Sequence, residues 1–217
     1  LIKNKLTTVQ RLDLSNDYIC NGYTLKGVLK SDMENIRATM EKINYSTFED
    51  VVNNIFEAKR IYIIGLRSSM ALAEFLGFYL NVILQNVKTV GYGISDIFEE
   101  MINIGEGDLV IGIGFPRYAN RTIDVLSFAQ NRGATIVALT DSIISPLAQR
   151  ADYALIVQSN MASFVDSLVA PLSVINALLI AVGLRQKESV STTFNSLEEI
   201  WKEYNVYSYN HNNDDEF

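Results

Sequence analysis

The middle of the chain alternates between two patterns of apolar residues. Short runs rich in Ile, Val, Leu and Tyr are separated by longer stretches whose apolar residues recur at helical three- and four-residue spacing. The short runs predict five strands, at residues 60–64, 88–92, 109–113, 135–139 and 153–157. Apolar strands that alternate with helices are typical of a parallel sheet covered on both faces, so we expect a three-layer α/β/α domain.

Helices are predicted between these strands and on either side of them. The connecting stretches predict helices at residues 69–85, 95–102, 120–132, 147–150 and 165–183. Two lead-in helices are predicted before the first strand, the first capped by Ser31 and carrying an apolar stripe of Met33, Ile36, Met40 and Ile43. A last helix is predicted over residues 193–203. The pair Ser145-Pro146 predicts the start of helix 147–150, since Ser is a common N-cap and Pro fits the first helical position.

The pattern divides the chain into three parts. Residues 1–30 are polar and weakly periodic, which is typical of a linker. Residues 31–187 form the predicted domain with its lead-in helices. Residues 188–217 comprise the last helix and a tail rich in Asn and Asp, which we expect to be disordered.

Composition excludes several functional classes. The 217 residues carry a net charge of −7 without clustered Lys or Arg, which disfavours nucleic-acid binding by this segment itself. With one histidine, His211 in the tail, and one cysteine, Cys20, a zinc site, a Ser-His-Asp triad and an internal disulfide are all disfavoured. No apolar run approaches the roughly 20 residues of a membrane span, and no secretion signal opens the chain. We therefore expect a cytoplasmic protein without metal or cofactor.

Two loops carry the candidate chemistry. We expect the flavodoxin-like strand order 2-1-3-4-5, which places the loops after strands one and three side by side at the switch point where α/β sheets bind ligands. In the first loop Gly65 leaves the strand, and Arg67, Ser68 and Ser69 open the next helix, whose unpaired N–H groups favour an anion. Ordinary helix capping by the serines is the alternative interpretation.

The second loop adds positive charge to the same place. Gly114, Phe115, Arg117, Tyr118 and Thr122 follow strand three, and the Arg and Thr side chains are suited to bind a phosphate. Arg121 is as consistent with a solvated residue at the helix start.

Further residues are weaker candidates for the pocket. Asp141, between Thr140 and Ser142, is placed to close it, although Asp and Ser also form ordinary turns. The polar segment 160–167 is suited to line it. Glu99 and Glu100 are a possible acid–base pair, but two exposed helix glutamates are the favoured interpretation. We expect no catalytic residues.

The order of several short motifs resembles a known family. The segment Ala58–Gly183 resembles the sugar isomerase (SIS) domain, a phosphosugar-binding fold with a five-stranded parallel sheet. Within it, the closest resemblance is to the RpiR-type transcription regulators, through the motifs Phe115-Pro116-Arg117-Tyr118, Thr140-Asp141-Ser142 and Ser145-Pro146-Leu147-Ala148. Residues Gly114 and Pro116 depart from the family, which commonly has serines at these positions.

The resemblance implies a regulator of carbohydrate metabolism. Such proteins sense a phosphorylated sugar or amino sugar, usually dimerise through the SIS domain, and bind DNA through an N-terminal helix-turn-helix domain that this chain lacks. The very apolar helices at residues 71–84 and 168–184 agree with a homodimer. One alternative is a phosphosugar aldose–ketose isomerase, which the lack of a histidine in the domain disfavours. The other is a nucleotide-dependent enzyme, which is disfavoured because Gly112-x-Gly114 lacks the third glycine of a dinucleotide motif and the chain has no Walker loop.

Overall fold

The computed structural model describes residues 7–12, 24–91, 96–161 and 163–208. Its strands are β1 (Ile61–Gly65), β2 (Val87–Val90), β3 (Leu109–Ile113), β4 (Thr135–Thr140) and β5 (Tyr153–Ile156). Its helices are α1 (residues 8–12), α2 (Thr24–Lys42), α3 (Tyr45–Glu57), α4 (Met70–Leu84), α5 (Ile97–Glu100), α6 (Asn120–Gln130), α7 (Val169–Arg185) and α8 (Lys187–Glu203). Short 3-10 turns occupy Arg67–Ser69 and Ala148–Arg150.

The five strands form one parallel sheet in the order β2-β1-β3-β4-β5. The predicted fold class and strand order are thereby confirmed. Strands β1 and β3 are buried along their whole length because helices cover both faces. Gly65 at the end of β1 pairs in register with Ile113 at the end of β3, so the loops after these two strands leave the sheet side by side.

Each face of the sheet has its own apolar core. Alternate strand residues such as Ile63 and Ile111 pack with α3, α4 and α7 on one face, while their neighbours such as Ile64 and Val110 pack with the α5 and α6 region on the other. This alternation follows from the two-residue period of a strand.

An ion pair joins the beginnings of β1 and β3. Asp108 is 2% exposed and accepts hydrogen bonds from Nε and Nη2 of Arg60 at 3.0 and 2.7 Å, and from the backbone N–H of Gly105 at 2.9 Å. The hydrogen bond to Asp108 raises the pKa of Arg60 above its ordinary value. The pair fixes the edge of the sheet opposite to the loops considered as a site.

Helix α2 differs from its prediction in both its start and its orientation. The prediction that Ser31 caps the helix is wrong, because the helix begins at Thr24 and runs through Ser31. Its polar residues Asn35 and Thr39 are buried, whereas Met33 and Met40 of the apolar stripe are 70% and 60% exposed. The buried face is polar because it hydrogen bonds to the segment after β5. The Asn35 side chain donates to the Asn160 carbonyl at 2.8 Å and accepts from its N–H at 3.0 Å.

Other helices also begin or end at residues different from those predicted. The predicted helix 147–150 is a 3-10 turn at Ala148–Arg150 with Leu147, not Ser145, at its N-cap. The Ser145 hydroxyl nevertheless accepts from the Ala148 N–H at 3.0 Å. Helix α7 begins at Val169 rather than at residue 165, and α8 begins at Lys187 rather than at residue 193. The tail from residue 209 onward, with His211, lies outside the described residues, as does Cys20.

No single helix in the described ranges is both long and apolar enough to cross a membrane, while α7 and α8 together pass such a test only as a sharply bent pair. Within the same ranges no three His, Cys, Asp or Glu side chains are grouped so that they could hold a metal ion.

Candidate functional site

The loop after β1 turns sharply into helix α4. A side chain at Gly65 would bring its Cβ within 2.5 Å of the Ser69 carbonyl oxygen, so only glycine fits this turn. Arg67 has a positive φ of 59° and is exposed, as is Ser68, whereas Ser69 is 4% exposed. Ser69 occupies the N-cap position of α4, but its side chain makes no capping hydrogen bond. The capping alternative therefore does not describe this serine. The Met70 N–H at the start of α4 donates instead to the Arg67 carbonyl, through the 3-10 turn that precedes the helix.

The loop after β3 leads into helix α6 in a similar way. Gly114 lies against Leu147, where an added Cβ would approach to 2.8 Å, and Phe115 is buried beside it. Helix α6 also lacks a side-chain cap at its N-cap residue, Ala119. In its first turn Thr122 is 1% exposed, and its hydroxyl oxygen has no hydrogen-bond partner within the described part of the chain. A buried unpaired hydroxyl is uncommon and needs an explanation.

The two loops line one cavity of about 530 Å³. The candidate residues of the loops that line it are Arg67, Ser68, Ser69, Gly114, Phe115, Arg117, Tyr118 and Thr122. The prediction that these loops face each other at the switch point is confirmed by this geometry. Gly65 does not line the cavity; its role is to shape the turn beneath it.

Four residues from outside the two loops also line the cavity: Thr8, Arg11, Phe164 and Asp166. Asp166 accepts a hydrogen bond from the Ser68 hydroxyl at 3.0 Å and lies 3.4 Å from the Arg11 guanidinium. The Arg117 guanidinium donates to the Thr8 hydroxyl at 2.9 Å. The polarity of segment 160–167 signalled Asp166, but nothing in the linker-like pattern of residues 1–30 signalled Thr8 or Arg11.

A second cavity of about 660 Å³ adjoins the first and shares Arg11, Pro116, Tyr118 and Asp166 with it. Asp141 lines this second cavity rather than the first, where it accepts a hydrogen bond from the Tyr118 hydroxyl at 2.6 Å. Asn160 and Ser142 complete a polar lining. Because they share these lining residues, the two cavities adjoin, and we refer to them together as the cleft.

Several weaker candidates lie elsewhere. Arg121 pairs with Asp96 and stacks over the ring of Phe98 with its guanidinium carbon 4.5 Å from the centroid, so the non-site interpretation of Arg121 is the correct one. Glu99 accepts from the Asp96 N–H in a capping box, and Glu100 pairs with Lys88 at 3.2 Å. Neither glutamate lines either cavity.

The first cavity is suited to hold an anion. The N-termini of α4 and α6 point positive potential toward it, and the guanidinium groups of Arg11, Arg67 and Arg117 lie in its wall. One carboxylate, Asp166, offsets part of this charge. The Arg67 guanidinium makes no hydrogen bond or ion pair to any other described residue.

This fold and site define the class of protein. A family model for the SIS domain matches residues 54–181, more than half of the chain. The chain therefore belongs to the SIS-domain family, as the sequence resemblance indicated.

The nearer relatives include transcription regulators. The chain is 29% identical over 142 residues to an uncharacterized HTH-type transcriptional regulator of Haemophilus influenzae, covering 65% of this chain and 48% of that protein. It is also 28% identical over 131 residues to the bifunctional protein glk of Burkholderia thailandensis, covering 59% of this chain and 20% of that protein. The chain thus spans about half or less of the length of these curated relatives.

Solved structures agree. The sugar isomerase domain of an RpiR transcription factor from Sphaerobacter thermophilus superposes with a TM-score of 0.78 at 29% identity, covering 82% of this chain and 99% of that one. The resemblance to RpiR-type regulators is thereby confirmed. The Vibrio vulnificus NanR protein complexed with ManNAc-6P shares the fold, with a TM-score of 0.72 at 18% identity over 92% of this chain and 76% of that one.

Proposed function

We propose that this chain is the effector-binding domain of a transcription regulator that senses a phosphorylated sugar or amino sugar and controls genes of sugar metabolism. The observation that carries the proposal is the buried, unpaired hydroxyl of Thr122 in the anion-suited cavity between the N-termini of α4 and α6. A phosphate oxygen there would accept from this hydroxyl and from the backbone N–H groups of both helices.

The departure of Gly114 and Pro116 from the serines common in the family does not remove the donors. Ser69 and Thr122 supply hydroxyls from the first residues of the two helices, and Arg67 and Arg117 supply charge. Phosphate binding in this chain therefore depends more on guanidinium groups and less on loop serines than in the family pattern.

The second cavity is the proposed place for the sugar. Asp141, Asn160 and Ser142 present oxygen and amide groups that suit hydroxyl, acetamido or amino substituents. The fold shared with NanR, which is described in complex with ManNAc-6P, supports including that sugar phosphate among the ligands tested.

The alternative function is a phosphosugar isomerase, which several structures of the same fold are described as being. One is a putative sugar-phosphate isomerase from Listeria monocytogenes, with a TM-score of 0.65 at 18% identity over 77% of this chain and 93% of that one. Isomerisation requires a base beside the sugar. The carboxylates near the cleft are Asp141, held by Tyr118, and Asp166, held by Ser68 and Arg11. We propose that the domain does not turn over its ligand; turnover of a hexose or pentose phosphate above background would contradict this.

The proposal also covers partners and location. We propose a cytoplasmic homodimer that reaches DNA through a helix-turn-helix domain outside this chain. The curated HTH-type relative, of which this chain spans 48%, supports such an additional domain. We keep residues 1–30 as the linker toward it and residues 31–187 as the sensing domain, although helix α2 crosses that boundary.

The direct test is calorimetric titration of a panel of sugar phosphates, including ManNAc-6P and glucosamine 6-phosphate. For any ligand that binds, Arg117→Ala is expected to weaken affinity some ten- to hundred-fold, since a charge-assisted contact contributes about 1.5–3 kcal/mol. Ser69→Ala should cost less, because the backbone donors remain. Arg121→Ala is the matched control, four residues away but outside the cavity, and should bind normally. A tight ligand that Arg117→Ala and Ser69→Ala both bind unchanged would show that the site lies elsewhere.

A further inference from the structure

Arg11 occupies an unusual position for a charged side chain near the beginning of a chain. It lies outside the SIS match, which begins at residue 54, yet it is only 5% exposed and lines both cavities. Its Nε atom is buried and has no hydrogen-bond partner among the described residues. A buried guanidinium N–H without a partner is costly, which indicates that something else completes its surroundings.

The contacts that Arg11 does make are weak. Its Nη1 atom lies 3.4 Å from the Asp166 carboxylate, longer than the roughly 2.7–2.9 Å of a strong charge-assisted hydrogen bond. The other oxygen of Asp166 already accepts from Ser68. Asp166 therefore positions the Arg11 side chain at the cavity without satisfying it.

A second hydrogen bond of residues 7–12 also lies at the cavity wall. Thr8, one turn before Arg11, accepts a hydrogen bond from Arg117, a residue of the anion site. The hydrogen bonds from Arg117 to Thr8 and from Arg11 to Asp166 thus connect residues 7–12 to groups that line the first cavity.

We propose that Arg11 is a ligand-binding residue, and that the anion bound in the first cavity holds residues 7–12 against the SIS domain. The inference rests on the proposed function, because it takes the cavity to be the anion site. An anion between Thr122 and Arg117 is placed to accept from the unpaired Nε of Arg11. The ligand then joins residues 7–12 to the loop after β3, whose Arg117 follows Thr8 by 109 residues.

The thermodynamic consequence is reciprocal. If the docked segment adds to ligand affinity by a given factor, ligand binding favours the docked segment by the same factor. Ligand binding thereby determines how often residues 7–12, which precede α2, are docked against the SIS domain. This conversion needs no change in the sheet or in its two cores.

The test uses glucosamine 6-phosphate, ManNAc-6P and inorganic phosphate as probes on the whole chain. Arg11→Ala is expected to weaken their binding about tenfold or more. Arg11→Lys keeps the charge but lacks Nε–H, so its affinity is expected to lie between those of the wild type and Arg11→Ala. Arg37→Ala is the matched control, because Arg37 is an exposed arginine on α2 paired with Glu41 within its own helix. In wild type, saturating ligand is expected to slow amide hydrogen exchange at residues 8–12 about tenfold or more, a readout that needs no variant.

The outcomes separate this inference from the proposed function. Binding that is weakened by Arg117→Ala but unchanged by Arg11→Ala, with unchanged exchange at residues 8–12, would overturn the role of Arg11 and leave the anion site intact. If none of the three probes binds to the wild-type chain, the proposed function and this inference fail together.

Discussion

At the scale of single residues, two arginines four positions apart show that tertiary partners determine which side chain lines the cavity. Arg117 and Arg121 follow the same strand and have the same chemistry, yet Arg117 lines the cavity, while Arg121 pairs with Asp96 and stacks on Phe98. The sequence predicted the loop but could not separate these two side chains, because their partners come from different parts of the fold. For Arg11, with Asp166 as its partner 155 residues away, no local signal existed.

A substitution at Thr122 should change protein stability and ligand binding in opposite directions. Thr122→Val removes a buried hydroxyl without a partner while keeping nearly the same shape. We expect the free energy of unfolding of the ligand-free protein to rise by about 1 kcal/mol, because the desolvation penalty of the hydroxyl disappears. The same change should weaken sugar phosphate binding several-fold.

Urea denaturation and calorimetric titration measure the two effects. Thr192→Val, on α8 and outside both cavities, is the control for the substitution itself, since the Thr192 hydroxyl bonds only within its own helix turn at 3.1 Å. Destabilisation of Thr122→Val together with unchanged binding would show that the Thr122 hydroxyl has a structural partner and no ligand.

At the scale of elements, the sheet was more predictable than the helices around it. Strands β1, β3 and β4 are buried apolar runs, so their positions follow from composition to within one or two residues, and β3 agrees at both ends. Helix α7 starts later than predicted because residues 163–168 form a loop that reaches the cavity and donates from Ser167 to Asp32 at 2.6 Å. Such long-range hydrogen bonds override local helical periodicity.

Helix α2 gives a prediction that an ordinary amphipathic helix would not. Asn35→Ala should lower the free energy of unfolding by about 1–3 kcal/mol, because it removes both hydrogen bonds to the Asn160 backbone. Met33→Gln, on the exposed apolar stripe, should change it by no more than about 0.5 kcal/mol. Denaturant unfolding of the two variants checks this; a larger loss for Met33→Gln would mean that its stripe is buried in solution.

The apolar helices α4 and α7 remain the predicted dimer surface. Phe78 on α4 and Ile180 and Leu184 on α7 are 62%, 62% and 69% exposed. We expect Ile180→Glu to weaken a homodimer, because a charge would be buried at the contact. Ile102→Glu is the control, since Ile102 is equally exposed at 62% but follows α5 on the opposite face of the sheet. Sedimentation velocity at micromolar concentration measures both; dimers equally stable in the two variants would exclude this surface.

At the scale of the whole molecule, the layered architecture follows from the alternation of strands and helices, and its ligand site follows from the strand order. Neither the alternation nor the strand order predicts that residues 7–12 and α2 pack against the domain. Polar side chains of residues 7–12 and α2 hydrogen bond to the segment 158–167, and polar partners of this kind leave no periodic pattern. The site could therefore be predicted as two loops but not as a cleft closed by a third segment.

The same contacts set an order of events during synthesis. Arg11 and Asn35 leave the ribosome well before their partners Asp166 and Asn160, which follow 155 and 125 residues later. At roughly 5–20 residues per second, the first part of the chain waits about 6–30 s for the segment that anchors it. Strands β1 to β4 have all been made by then. A nascent chain stalled before Asn160 has been made should therefore leave α2 more open to protease than the completed chain does.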